Sequence, residues 1–387
     1  MISSLHFCTS DSWGGLELYA ATLMAELKKS GCGVIAVCKP NSKIENFLVE
    51  QGVECTHLPS YNKFSYASLQ TIKQLIESRH IDILHVHFHK DIWMPSMVLR
   101  NDRRRKLFLS IYMGVISKND LLHRWIYKRV NAIFTSSKEL NRLLPSLYPV
   151  EKEKIHFLPY GRDLERYTVD RAKRAAIRAR FGVKENELLI GTMVRIDPGK
   201  GVIDFARSFL YLEQHRKANV KYLIVGEPTR RATATPNESP YEPHCEEYLR
   251  QITTFIDDEH LEGKIILAGY QDDLIGYLSA MDLFVFPSRD ELYSLVVLDA
   301  MSMGLAVVAA RAGGNLEQLR DGETGVLYNV GDSKDLAAKL THYVNLPDER
   351  KRHSIAARRF VEEQHSMKQT IKTVLKFYNE PIVEELR

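Results

Sequence analysis

Two acidic residues of this 387-residue chain stand where an open α/β sheet does its chemistry, beyond the end of a strand. An apolar strand pattern at 283–286 stops at Pro287. A polar segment with Arg289, Asp290 and Glu291 follows, then an apolar run with helical spacing over 295–303. Asp299 comes eight residues after Glu291. Eight helical residues rise about 12 Å, too far for both carboxylates to act on one bond but suited to gripping two ends of one extended ligand. A hydrolase's acid and base need closer spacing. A further strand at 305–309 leads into Gly313-Gly314, where small residues permit the backbone to approach a ligand. An ordinary strand, loop and helix with solvated acids would read the same way.

Three other groups have chemical potential. Arg195-Ile196-Asp197-Pro198-Gly199-Lys200-Gly201 follows a strand pattern at 188–194. Fixed cations beside glycine backbone suit a diphosphate leaving group without a divalent ion, because their charge stabilises oxygen as negative charge develops. An exposed basic turn is the alternative. This is not a Walker A loop, since the glycine spacing and the Lys-Gly ending differ. Trp13-Gly14-Gly15 lies between a strand candidate at 2–9 and a helical pattern at 16–27, so its N–H groups can receive an acceptor or a phosphate. The glycine spacing is not that of the dinucleotide fingerprint. His85, His87 and His89 alternate at a strand end and share a face if the strand continues. No cysteine or carboxylate partner accompanies them, so a polar acceptor pocket is expected ahead of a metal site, with structural roles the other reading.

The elements that must position these residues alternate. Strand candidates at 33–38, 81–87, 107–112 and 132–135 are separated by helical patterns that include 69–78 and 123–130, the form of a parallel α/β domain. A very basic segment, 171–180, predicts a linking helix, and a fresh α/β pattern starts at Leu188, with strands at 222–226 and 264–267. Residues 228–244, rich in turn formers, predict an exposed insertion before a helix at 246–258. The expected domains are 1–168 and 169–365, with a tail, 366–387, packing back toward the first. Ligand would lie in the cleft between the two domains.

The length suits two or three domains, and 44% hydrophobic with 26% charged residues is a globular composition. The five cysteines show neither CxxC nor zinc spacing, which favours a reducing cytoplasm and predicts no metal. No basic leader with a long apolar region opens the chain and no uncharged run approaches membrane-spanning length, so neither a signal peptide nor a membrane span is expected. Residues 1–170 carry 23 Lys and Arg against 17 Asp and Glu, so the net charge of +4 is concentrated in the front half. The stretches Arg103-Arg104-Arg105-Lys106 and 118–129 could attract an anionic substrate or membrane face, or be a solvated helix face and a charged turn. Nothing supports nucleic acid, for which aromatic interleaving or a binding motif is lacking.

Taken in order, these motifs resemble a retaining, nucleotide-sugar-dependent glycosyltransferase of the family-4 type (glycosyl transferases group 1), with GT-B architecture: two Rossmann-like parallel-sheet domains facing across a cleft. The resemblance runs from Gly14-Gly15-Leu16-Glu17 through Arg195 and Lys200 to the segment opened by Glu291. It continues through Asp299-Ala300-Met301, Gly304, Gly313-Gly314, Glu317 and Asp321-Gly322-Glu323-Thr324-Gly325. It implies transfer of a hexose from a UDP- or GDP-sugar to an acceptor hydroxyl with retention, in cell-envelope or surface glycan synthesis, with no cofactor. It further implies that Glu291 contacts the donor sugar, that Arg195 and Lys200 hold the diphosphate, and that Asp299 reaches toward the ribose. Gly15, Tyr293, Ser294 and Leu295 complete the donor site. Gly14, Gly15, His87 and Tyr112 face the acceptor. A donor phosphate oxygen would help to take the acceptor proton. The sequence departs from the pattern at four positions: Asp299 where a second Glu is common, Ser294 where Gly is common, Tyr112 near an expected His, and Tyr160 where Asn is common. Tyrosine cannot reproduce an imidazole's proton affinity. A noncatalytic sugar-nucleotide binder and a glycoside phosphorylase are the alternatives. The expected location is the cytoplasm, with peripheral contact at the inner face of the membrane.

Overall fold

The computed structural model describes residues 2–114, 116–231 and 239–381. The chain forms two compact α/β units, Met1–Gly161 with Met367–Arg387, and Arg162–Ser366.

The first unit is built on seven strands, β1 (Ser3–Phe7), β2 (Gly33–Val37), β3 (Glu54–Thr56), β4 (Ile83–Val86), β5 (Lys106–Ile111), β6 (Ala132–Thr135) and β7 (Ile155–Phe157). They run parallel in the order β3-β2-β1-β4-β5-β6-β7. Because helices cover both faces of a parallel sheet, its strands read as nearly continuous apolar runs. β4 and β6 are buried at every position. Leu5, Phe7, Leu84, Val86, Leu107, Leu109 and Ile133 form one core cluster. Helix Met367–Asn379 belongs to this unit. The hydroxyl of its Tyr378 lies 2.7 Å from His85 Nδ1, and Lys106 Nζ donates to its Phe377 and Tyr378 carbonyls at 3.1 and 2.7 Å.

The second unit has six strands, β8 (Glu187–Met193), β9 (Asn219–Val225), β10 (Ile265–Gly269), β11 (Leu283–Phe286), β12 (Val307–Ala310) and β13 (Val326–Tyr328). They too are parallel, in the order β10-β9-β8-β11-β12-β13. The basic helix Arg171–Arg180 is docked into this unit rather than being a free link. Arg174 donates to the carbonyls of Ser279, Ala280 and Met281, which close the neighbouring helix Leu274–Ala280, and to Asp282. Arg178 is buried against Ala280, Asp282, Lys184 and Glu187. Cations at a helix C-terminus answer both its carbonyls and its dipole.

Of the insertion expected at 228–244, residues 232–238 lie outside the described residues. Its two arms pair, with a bridge between Arg230 and Tyr241 and with Glu242 N–H donating to Thr229 O at 2.8 Å. The Arg103–Lys106 stretch is partly consumed by the fold. Arg105 donates to Ile81 O and pairs with Asp102, and Lys106 holds the C-terminal helix. Among the described residues no helix is long and apolar enough to cross a membrane.

Candidate active site

In each sheet the strand order reverses once, between β1 and β4 in the first unit and between β8 and β11 in the second. Ligands of open α/β sheets bind outside the carboxyl ends of the strands at such a reversal. The loops leaving β8 and β11 carry Arg195–Gly201 and Pro287–Ser294, and they are locked together. Arg289 N–H donates to Gly199 O at 2.9 Å. Gly201, at φ +64°, lies so close to the Pro287 carbonyl that an added Cβ would be 2.2 Å from its oxygen. The Arg289 guanidinium is committed to Asp204 Oδ2 at 2.7 and 3.0 Å. What faces the reversal is therefore Lys200, whose Nζ is 2.5 Å from Glu291 Oε2, both side chains half-buried. Arg195 is exposed at the end of β8 and has no side-chain partner among the described residues.

The Gly313-Gly314 pair does not leave room for a ligand, as its small size suggested. The space beside it is filled by the Glu291 loop. An added Cβ would be 2.2 Å from Glu291 O at Gly313 and 2.0 Å from Leu292 O at Gly314, and Gly314 N–H donates to Glu291 O at 2.8 Å. The two glycines set the height of the loop that carries Glu291. Gln318 fixes its far end, accepting from Ser294 N–H at 2.9 Å and donating to Ser294 O at 2.6 Å, so that N–H is not available to a phosphate. No side chain caps the helix Leu295–Ser302 that follows. Tyr293 is buried, its hydroxyl 3.0 Å from His365 Nε2, and Leu295 is half-buried at the first helical position.

Asp299 is buried on the same helix. Its Oδ1 accepts from Arg162 Nε at 2.5 Å and from the Tyr167 hydroxyl at 2.6 Å. Burial, with the Asp299 carboxylate next, pushes the Tyr167 phenol up, so it stays a donor. Arg162 also reaches Leu295 O at 3.2 Å. Glu291 and Asp299 thus differ in setting: one is half-open beside a lysine, the other is enclosed by two donors.

In the first unit the loop after β1 is held from below by two carboxylates. Asp91 accepts from Thr9 N–H at 2.9 Å and from the Thr9 hydroxyl at 2.5 Å. Glu17 accepts from the Ser10 hydroxyl at 2.6 Å and reaches back to Gly14 N–H at 2.9 Å, which satisfies a donor at the start of helix Gly15–Lys29. Gly14 and Gly15 are exposed. Burial raises the Asp91 carboxyl to about 6, with the Thr9 bonds opposing it.

His85 and His87 share a face, but it is an interior one and the third member is His6 on β1, not His89. His6 pairs with His85 in register. His89 falls in the turn after β4. His87 Nδ1 is 2.9 Å from the Tyr112 hydroxyl and its Nε2 is 2.9 Å from His6 Nδ1, whose Nε2 lies 3.0 Å from Ser4 Oγ. His85 joins the Tyr378 hydroxyl at 2.7 Å to Ser110 Oγ at 2.8 Å. The expected acceptor pocket of strand-end histidines is therefore corrected. Both nitrogens of His87 are used inside the unit, and what reaches the strand end is Tyr112, held by His87. Burial lowers His6 to about 3, drives His85 and His87 well below their usual range and pushes Tyr112 well above its own. The hydrogen bonds are all satisfied with neutral rings: Tyr112 donates to His87, His87 to His6, His6 to Ser4, and Ser4 to Gly33 O.

Sequence reasoning missed Asp204, Gln318, Asp91, Arg162 and His6. All act on partners far away in the chain. Only His6 had a local signal, a polar residue inside an apolar strand pattern.

Comparison with known proteins adds identity to this geometry. The family profile described as "Glycosyltransferase Family 4" matches residues 13–166, and that described as "Glycosyl transferases group 1" matches residues 173–360. The chain is 28% identical over 366 residues to a D-inositol 3-phosphate glycosyltransferase of Nocardia farcinica, covering 84% of this chain and 76% of that one. It is 21% identical over 322 residues to an N-acetyl-alpha-D-glucosaminyl L-malate synthase of Bacillus anthracis, covering 79% and 76%. Among solved structures, a glycosyltransferase from Rickettsia africae superposes with a TM-score of 0.85 at 17% identity, covering 99% of each chain. Anabaena HepE in complex with UDP superposes with a TM-score of 0.81 at 16% identity, covering 97% of this chain and 99% of that one.

Proposed function

This chain belongs to the family 4 glycosyltransferases, with the GT-B fold, and from that premise we propose that it transfers a hexose from a nucleotide diphosphate sugar to an acceptor hydroxyl with retention at the anomeric carbon. The observation that carries this reading is the meeting of Lys200 and Glu291 at the β8/β11 reversal, beside the exposed Arg195. A diphosphate bound there exchanges the Glu291 carboxylate for phosphate oxygens around Lys200. The freed carboxylate then accepts from hydroxyls of the donor sugar. Arg195 and Lys200 offset the charge that grows on the leaving diphosphate, so the reaction requires neither a divalent ion nor a carboxylate base. A donor phosphate oxygen takes the acceptor proton on the face the nucleotide leaves. UDP is favoured over GDP, because Anabaena HepE, of similar fold, is known in complexes with UDP and with UDP-glucose.

Tyr293, Ser294 and Leu295 line the donor site in this reading, and Asp299 acts on the ribose end through the Arg162 and Tyr167 groups it fixes. The acceptor meets Gly14, Gly15 and Tyr112 at the carboxyl ends of β1 and β5, with His87 orienting the Tyr112 hydroxyl. The product belongs to cell-envelope or surface glycan synthesis at the inner face of the cytoplasmic membrane. The helix Leu121–Tyr127 supports membrane contact: Leu121 is 83% exposed, and Leu122, Trp125 and nearby Ile116 also face solvent, close in sequence to Lys118, Arg124 and Lys128. Exposed apolar side chains with cations nearby in sequence match an anionic bilayer.

A sugar-nucleotide binder without turnover is the second reading, favoured by Tyr112 standing near an expected histidine. Mass-resolved screening of UDP- and GDP-sugars against acceptor extracts, with the anomeric configuration of the product read by NMR, decides. A glycoside of retained configuration is the expected result. Binding without turnover would make the chain a sensor, and sugar phosphate released from a glycoside and free phosphate would make it a phosphorylase.

A further inference from the structure

Among the described residues, three groups of side chains bring metal-ligating atoms within 4.8 Å of one another. Two of them are already satisfied as they stand. In the His6, His85 and His87 group, His6 Nδ1 and His87 Nε2 are joined at 2.9 Å by a direct hydrogen bond, too short for two ligands of one ion. Each nitrogen also has a partner in its own unit. In the group Cys38, Glu45 and His57, the His57 Nε2 to Glu45 Oε1 distance of 2.6 Å is that of a direct hydrogen bond, too short for two ligands of one ion.

The third group is different. Asp197, in the turn between Arg195 and Lys200, meets His244 and Cys245 at the start of helix Pro243–Asp258. Cys245 Sγ is 3.5 Å from Asp197 Oδ2 and 3.2 Å from His244 Nε2. A tetrahedral zinc ion, with bonds of about 2.3 Å to sulfur and about 2.0–2.2 Å to nitrogen and oxygen, sets sulfur-to-nitrogen and sulfur-to-oxygen edges at about 3.5 Å. The sulfur-to-oxygen edge, 3.5 Å, matches this, and the sulfur-to-nitrogen edge, 3.2 Å, is about 0.3 Å shorter, a difference that a small rotation of the exposed His244 side chain takes up. A Cys, His, Asp relay for nucleophilic catalysis is excluded by the same distances. In a relay the acid orients the histidine, whereas here both Asp197 and His244 point at the sulfur.

The surroundings fit a cation. Asp197 has its other oxygen fixed by Gly199 N–H at 2.9 Å, which orients Oδ2 toward the sulfur. Thr229, at the base of the insertion, lies against the Cys245 thiol. Cys245 is fully buried while His244 is exposed, so the site is closed on one side and open to entry on the other.

We propose that Asp197, His244 and Cys245 bind one divalent transition-metal ion of the zinc class, with a fourth position left to solvent. Binding replaces the proton of the Cys245 thiol, which passes to solvent. The ion ties the base of the insertion and the helix behind it to the turn between Arg195 and Lys200. That consequence rests on the donor-site reading, but the existence of the metal site does not.

The test uses the full chain, treated with a chelator and then titrated with cobalt(II) and zinc in the absence of nucleotide. The expected result is one equivalent bound, with a thiolate-to-cobalt charge-transfer band and the intense visible bands of tetrahedral coordination. His244→Ala changes an exposed side chain, so the fold is kept. It should weaken zinc binding by about 10–100-fold or more, a loss of the size seen even for residues behind the ligands. Cys245→Ser should abolish the charge-transfer band. A wild-type protein without that band, or zinc affinity unchanged in His244→Ala, overturns the proposal. Metal bound by a chain that fails to bind UDP would leave the site standing and remove the donor-site reading instead.

Discussion

Lys200 and Glu291 meet at 2.5 Å with both side chains half-buried, so each holds the other's charge until a ligand competes for it. A partly exposed pair contributes little to stability, about 1 kcal/mol or less. Glu291→Ala should therefore leave the denaturation midpoint nearly unchanged while lowering turnover by about 100-fold or more, the loss that follows removal of one group from a charge-stabilising site. Steady-state kinetics beside urea unfolding reads both; unchanged turnover would remove Glu291 from the mechanism. Asp299 should behave in the opposite way. Its carboxylate is enclosed by Arg162 and Tyr167, and removing one partner of a buried ion pair costs about 3–5 kcal/mol because the other charge is left uncompensated. Asp299→Ala is expected to lose that much in urea unfolding, and a loss below 1 kcal/mol would mean that the pair does not hold this helix. In the sequence, the spacing of Glu291 and Asp299 reads as grips on two ends of one extended ligand. The partner that encloses Asp299 is not legible there, because Arg162 lies 137 positions away and only the fold brings it near.

At the scale of elements, the strands that sit inside each sheet announce themselves as apolar runs, and all of the candidate site lies at their carboxyl ends. Three-residue strands such as β3 and β13 carry too few side chains to show a period, and both are sheet edges. The loop after β11 shows why motif and geometry differ. Gly313 and Gly314 read as space for a ligand, yet they are space for another loop, whose height they set. Gly314→Ala forces a Cβ to 2.0 Å from Leu292 O, which backbone must yield to. It should cost about 1–3 kcal/mol, the usual price of overpacking. It should also depress turnover by moving Glu291 away from Lys200. Crystallographic comparison with the parent would show the shift, and full activity in Gly314→Ala would mean that the loop's height is immaterial. The helix Leu121–Tyr127 carries a separate prediction. Leu121→Ser with Trp125→Ser should weaken binding to phosphatidylglycerol vesicles in co-sedimentation, whereas neutral vesicles should bind neither protein. Equal binding by the double variant and the parent would exclude this helix as the contact. Neutralising Arg105 and Lys106 is a poor probe of the same question, since both side chains are committed inside the unit.

Across the whole molecule, the response to acid follows from where the imidazoles lie. The first unit buries His6, His85 and His87, and the bond between His6 and His87 forms only while at least one of those two rings is neutral, because a protonated ring has no acceptor nitrogen. Their folded pKa values lie below the unfolded value, 6.5 in each case, with burial the leading cause. Below pH 6.5 the unfolded chain therefore binds more protons than the folded one, so stability is present above that pH and is lost as pH falls toward the folded values. For His6, at about 3 when folded, the loss between pH 7 and pH 5 is about 2 kcal/mol. Asp91 works in the other direction: at about 6 it favours the folded state below the usual carboxylate range, and that contribution is lost as pH rises through 6. The three histidines outweigh the single carboxyl, so urea midpoints should fall from pH 7 to pH 5, and the slope should flatten in His6→Asn. A midpoint that stays level over this range would mean that the imidazoles take up protons without unfolding the unit, and that the chain from Tyr112 to Ser4 has room for a charge.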